Sequence, residues 1–103
     1  MTKHEEAVRA RASSKKLTNA KAAAKLRRVA EAYYQRNLKL FADDRRGRDM
    51  VENDYFNLKS IVSDIRRGDL VSAYRHAGHL DTLVRETIPL DVWMYIGGRG
   101  IHE

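Results

Sequence analysis

Apolar residues return at every third or fourth position over most of this chain, and no stretch alternates apolar and polar strictly enough to be a strand. That period is the signature of amphipathic helices. Thr18 or Asn19 is a good N-cap for a helix to about Ala42, on which Leu26, Ala30, Tyr33, Tyr34, Leu38 and Phe41 form a core-facing stripe. Residues 43–49, DDRRGRD, read as a break. A second helix from about Asp49 to Arg67 places Val51, Tyr55, Leu58, Val62 and Ile65 at alternating steps of four and three, the pattern of a bundle seam.

Gly68 fits the end of that helix, and Asp69 caps a third. The join RRGDL is short enough to make the two an antiparallel hairpin. Leu70, Tyr74, Ala77, Val84 and Ile88 keep helical period, so the third helix is expected to run unbroken through Gly78. A glycine there costs about 1 kcal/mol in helix propensity and can mark a close helix crossing. Pro89 stops the pattern, and LDVWMYI predicts one or two further turns that close one end of the bundle. The expected architecture is all-α: a small helical bundle of three main helices over residues 18–96. Residues 1–17 are a basic N-terminal extension, marginal as a helix on its own, and residues 97–103 a flexible tail.

Charge changes this picture at one end only. The first 28 residues carry nine Lys or Arg against Glu5 and Glu6, whereas the remaining 75 hold eleven basic and twelve acidic residues. An almost neutral body therefore has a strongly basic beginning, and an anionic partner meets that quarter first. Lys15, Lys16, Lys21, Lys25, Arg27 and Arg28 are the candidate contacts. Lys21, Lys25 and Arg28 share one helix face, with small residues between them that let a phosphate backbone approach. Arg45, Arg46 and Arg48 with Arg66-Arg67 offer a second cluster. If the two long helices pack antiparallel, the first three sit at the loop end and Arg66 and Arg67 return towards Lys21 and Arg28, while Asp43, Asp44, Asp49 and Asp64 dilute it. The plainer alternative is a solvated helix face whose alanines serve helix propensity. No aromatic residue precedes Tyr33, so base stacking is not expected from the arm itself.

Adjacent aromatic pairs, Tyr33-Tyr34 and Tyr55-Phe56, cannot both face one core. One member of each is expected at an edge, and Tyr34, Tyr55 and Trp93 are the candidate anchors of a protein interface, a homodimer included.

Other chemistry finds little purchase. The absence of cysteine removes disulfides, thiolate metal sites and a cysteine nucleophile. No Gly-rich phosphate loop, metal-binding helix motif or nucleophile elbow is present, and His76, His79 and Asp81 lack a further ligand from another element. A turn at Gly78 followed by Val84 invites a helix-turn-helix reading, but Tyr74 stands where that motif wants a small residue. No apolar run approaches the roughly 20 residues of a membrane span.

The expectation is a non-enzymatic cytoplasmic binding protein, with no cofactor, no metal and no membrane contact. Its partner is nucleic acid or an acidic protein surface. Small, charged, cysteine-free helical proteins are frequent among phage and mobile-element accessory proteins. That likeness of composition supports an alternative in which the chain binds and modulates or inhibits a host nuclease or polymerase.

Overall fold

The computed structural model describes residues 2–97, and among them every regular element is a helix. These are α1 (Lys3–Ser14), α2 (Asn19–Leu40), α3 (Arg45–Arg66), α4 (Leu70–His79), α5 (Thr82–Arg85) and α6 (Leu90–Tyr95). Thr2, Thr18, Asp44, Asp69 and Asp81 each accept a backbone N–H from the first turn of the helix that follows. Pro89 precedes α6 without a side-chain cap. The fold is thus a small all-α bundle of three main helices, α2 to α4, with a helical N-terminal extension and a short C-terminal helix.

α2 and α3 form an antiparallel hairpin whose register is fixed by polar pairs along the seam. Tyr33 donates to Asp54 at 3.1 Å, and Tyr55 donates back to Glu31 at 2.6 Å. Farther along, Asn19 at the start of α2 lies beside Gly68, just past the end of α3. Positions rise on one helix as they fall on the other. Between them Ala22, Ala23, Leu26 and Ala30 of α2 meet Leu58, Ile61, Val62 and Ile65 of α3 in one buried cluster. The alanines allow the backbones to approach, so part of that run serves the core.

α4 packs on α3 and adds Ala73 and Ala77. α6 lies against both α1 and α2 and brings in Val92, Trp93 and Ile96. The shortest dimension of the molecule is 20 Å, about two helix diameters.

Three expectations are corrected. The helix after the first break begins at Arg45, not near Asp49, because Asp44 caps it and Gly47 of its first turn is buried beneath Phe41. The expected third helix is not continuous. Leu80 and Asp81 are extended (ψ 148° and 145°), and the Asp81 carboxylate accepts the Leu83 N–H. That local cap competes with the helix and restarts the chain as α5, which turns Val84 inward. Nothing lies within 4 Å of where a Gly78 Cβ would stand, so this glycine marks no helix crossing. The N-terminal extension is helical and docked on α6. The expected C-terminal tail falls on residues 98–103, outside the described residues, apart from Gly97, whose φ of +103° follows the end of α6.

Candidate nucleic-acid interface

The basic quarter is built on a corner. α1 ends at Ser14, and Lys15 and Lys16 carry the chain round to Thr18, whose hydroxyl accepts the Lys21 N–H and starts α2. Lys15, Lys16 and Lys21 are exposed. Beside them stands the far end of α3. The Asn19 amide nitrogen is 3.3 Å from the position a Gly68 Cβ would take, and Tyr95 of α6 clamps the Asn19 oxygen at 2.5 Å. Gly68 leaves the helix at φ +76°, a conformation open to glycine, so the turn stays tight enough for this approach. Exposed Arg66 and Arg67 sit directly before it.

One end of the bundle therefore gathers Lys15, Lys16, Lys21, Arg66 and Arg67 around the Asn19–Gly68 contact. Among the described residues, Lys15, Lys16, Lys21 and Arg66 have no carboxylate within ion-pair distance, and neither do Arg27 and Arg28 farther along α2. Two acids flank the arginines in sequence: Asp64 is buried and pairs with Arg67, and Asp69 is held by Ser72. The hydrogen bonds from the Ser72 side chain and backbone lower its pKa below the usual aspartate value.

Lys25 departs from its expected role. Its ammonium lies 2.6 Å from Asp91, a carboxylate buried on α6 that also accepts from Ser13 of α1 at 2.7 Å. Burial by itself raises the Asp91 pKa. The hydrogen bonds from Lys25 and Ser13, with the Lys25 charge, outweigh it and hold the group below its ordinary value. Lys25 is thus the strut that joins α1, α2 and α6, and the face of α2 left to a partner carries Lys21 and Arg28.

Arg45, Arg46 and Arg48 are exposed on the first turns of α3, at the opposite end of the hairpin. They are separated from Arg66 by some 20 residues of helix, roughly 30 Å. There Arg45 and Arg48 line a hollow of about 410 Å³ together with Asp43, Asp49 and Glu52. The two arginine-lysine clusters are separate surfaces, and the second is of mixed charge.

The aromatic expectations are redistributed. Trp93 is 3% exposed and packs at 5.5 Å from Tyr74, so it is a core residue and no interface anchor. Among the described residues its indole nitrogen is buried without a hydrogen-bond partner. Tyr34 and Tyr55 stack on one another at 4.2 Å across the α2–α3 seam. The exposed member of the second pair is Phe56, with 68% of its surface accessible. The four-and-three spacing that put Tyr55 on the seam leaves Phe56 outside it, and the Tyr55–Glu31 hydrogen bond and the Tyr34 stack hold Tyr55 there.

Phe56 stands at the mouth of a groove between α3 and α4. One part, of about 510 Å³, has Lys59, Ser63, Arg67 and His76 on its walls. A second part, of about 220 Å³, shares Phe56, Ser60 and His76 and extends to Asn57 and His79. At the base, the buried Asp64 carboxylate pairs with Arg67 through one oxygen and with His76 Nδ1 at 2.5 Å through the other. Lys59 is held over the Tyr55 ring, 5.3 Å from its centre. Lys59, Arg67 and His76 are thus each oriented by a residue beneath them.

No cluster of three potential metal ligands occurs among the described residues. No helix among them is long and apolar enough to cross a membrane. The chain matches no protein-family model, and no curated protein and no solved structure is significantly similar to it.

Proposed function

We propose that this chain is a non-enzymatic nucleic-acid-binding protein that grips phosphates with the basic end of its bundle. The observation that carries this reading is the gathering of Lys15, Lys16, Lys21 and Arg66 at one end, without an acidic partner among the described residues, beside Arg67. Flexible cations on a fixed corner suit a polyanion, because each neutralised phosphate releases condensed counterions. Arg27 and Arg28 extend the surface along α2. Such cations set position and not sequence.

Anisotropy titrations of a labelled duplex and a labelled single strand, across a range of salt, test it. Micromolar or tighter binding at physiological salt, with a steep log-log slope, is expected. The variant Lys15→Glu/Lys16→Glu/Lys21→Glu should weaken binding of both strands and flatten the duplex slope by roughly 0.9 for each phosphate that is no longer neutralised. Binding confined to low salt, or indifferent to this variant, would sink the proposal.

One observation favours a protein partner at the other end. Leu40 at the end of α2 and Met50 near the start of α3 are 72% and 66% exposed, at the end of the hairpin that also carries Arg45, Arg46 and Arg48, and exposed apolar and arginine side chains are what anchors protein interfaces. On that reading the tip docks on an acidic protein surface, such as that of a nuclease or polymerase, and modulates it. Failure of Leu40→Ser/Met50→Ser to retain a captured protein, with nucleic-acid affinity unchanged, would separate this role from the first.

A further inference from the structure

We infer that the α3–α4 groove is a base-binding site for single-stranded nucleic acid, with Phe56 as its stacking platform. This rests on the phosphate-binding reading above and adds to it a largely exposed ring, since Tyr95 at the cationic corner is half-buried with its hydroxyl committed to Asn19.

Three features select this occupant. Phe56 is a largely exposed ring on a firm helix, and of the other side chains that line the groove Leu80 alone is an apolar residue; the rest carry charged or polar heads on aliphatic or aromatic stems, a lining that suits a base flanked by its sugar and phosphate. The larger compartment holds Lys59, Arg67 and His76 at the spacing of one groove, where a sugar-phosphate segment passes. Asp64 fixes Arg67 and His76 from below and offsets the Arg67 charge, so the wall offers an incoming phosphate the Lys59 ammonium, with the Arg67 and His76 N–H groups held in place as further donors. The smaller compartment offers Asn57 and His79, groups that both donate and accept and so suit the edge of a base lying on Phe56.

Arg67 belongs both to this groove and to the basic end of the bundle. A strand held by Lys15, Lys16 and Lys21 thus has a path past Arg67 into the groove. Every base has a π-face, so the site is tolerant of sequence and selects single strands over duplex, whose bases are stacked on one another.

The test compares three fluorescent probes of equal phosphate number at physiological salt: a single-stranded oligothymidine, the same strand made abasic, and a duplex. The wild-type chain should bind the oligothymidine more tightly than the abasic strand. Phe56→Ala should weaken oligothymidine binding by roughly 5- to 150-fold, the range of one base–aromatic stack, and leave abasic and duplex affinities unchanged. Because Phe56 is exposed, this variant should keep the wild-type circular dichroism and melting temperature. Equal affinity of the wild type for intact and abasic strands, or no effect of Phe56→Ala, would overturn the base site while leaving the phosphate-binding reading intact. Failure of all three probes to bind would overturn both.

Discussion

The ammonium of Lys25 on α2 sits 2.6 Å from the buried carboxylate of Asp91 on α6. Ser13 of α1 reaches the same oxygen, so the first two helices and the last meet at one acid. Asp91 therefore couples the basic corner to the core, with Ser13 bringing in α1, which leads into Lys15 and Lys16, and Lys25 bringing in α2.

Lys25→Met keeps the apolar stem and removes the charge. It should destabilise the fold by about 1–3 kcal/mol, nearer the lower figure because the Lys25 side chain is 40% exposed and partly screened. Urea unfolding of the variant measures this. A stability equal to wild type would mean that α1 docks without the pair.

Acid should act through the same carboxylate. Asp91 has a folded pKa below its ordinary 3.8, so its contribution is fully present above the ordinary aspartate range and is lost as pH falls through the lowered value. Unfolding free energies measured from pH 6 down to pH 2 should fall more steeply for wild type than for Asp91→Asn. Parallel curves would show that ionised Asp91 contributes nothing specific.

Alkali should act on the α2–α3 seam. Burial, followed by the charge and hydrogen bond of Asp54, pushes the Tyr33 phenol up to about 12, while donation to Glu31 is the main cause that raises Tyr55. For a raised folded pKa the contribution is complete below pH 10, the ordinary tyrosine value, and is lost progressively towards pH 12. Tyr33→Phe/Tyr55→Phe should flatten the decline in stability over that window. Chemical denaturation at pH 9, 10 and 11 is sufficient to see it.

The two helical glycines predict opposite outcomes. A Cβ on Gly47 would lie 2.4 Å from Phe41 Cδ1, so crowding that costs about 1–3 kcal/mol outweighs a propensity gain of about 1 kcal/mol. Gly47→Ala should destabilise the wild type but stabilise a Phe41→Ala background. Gly78 has open space where its Cβ would be, and Gly78→Ala should stabilise by about 1 kcal/mol. Thermal melts of the four variants decide both, and a destabilised Gly78→Ala would contradict the open geometry.

By itself the sequence determined the helices that are long and periodic. The α2 and α3 stripes and the Gly68-Asp69 turn follow from spacing and cap chemistry, which act within a few residues. It also determined that positive charge is concentrated before residue 29. Tertiary structure decided what local pattern cannot hold. The Leu80-Asp81 break, a competition between an Asp81 cap and continued helix, was settled by turning Val84 into the core. Lys25, indistinguishable by spacing from Lys21, became a buried-pair partner because α6 delivers Asp91 to it. Tyr55, already on the seam by spacing, was denied the part of an exposed anchor by Glu31 and Tyr34 across it, and Trp93 was claimed by the core. Side-chain roles depend on partners brought from 24 to 78 positions away, and a stripe records only which face a residue shares with its own helix.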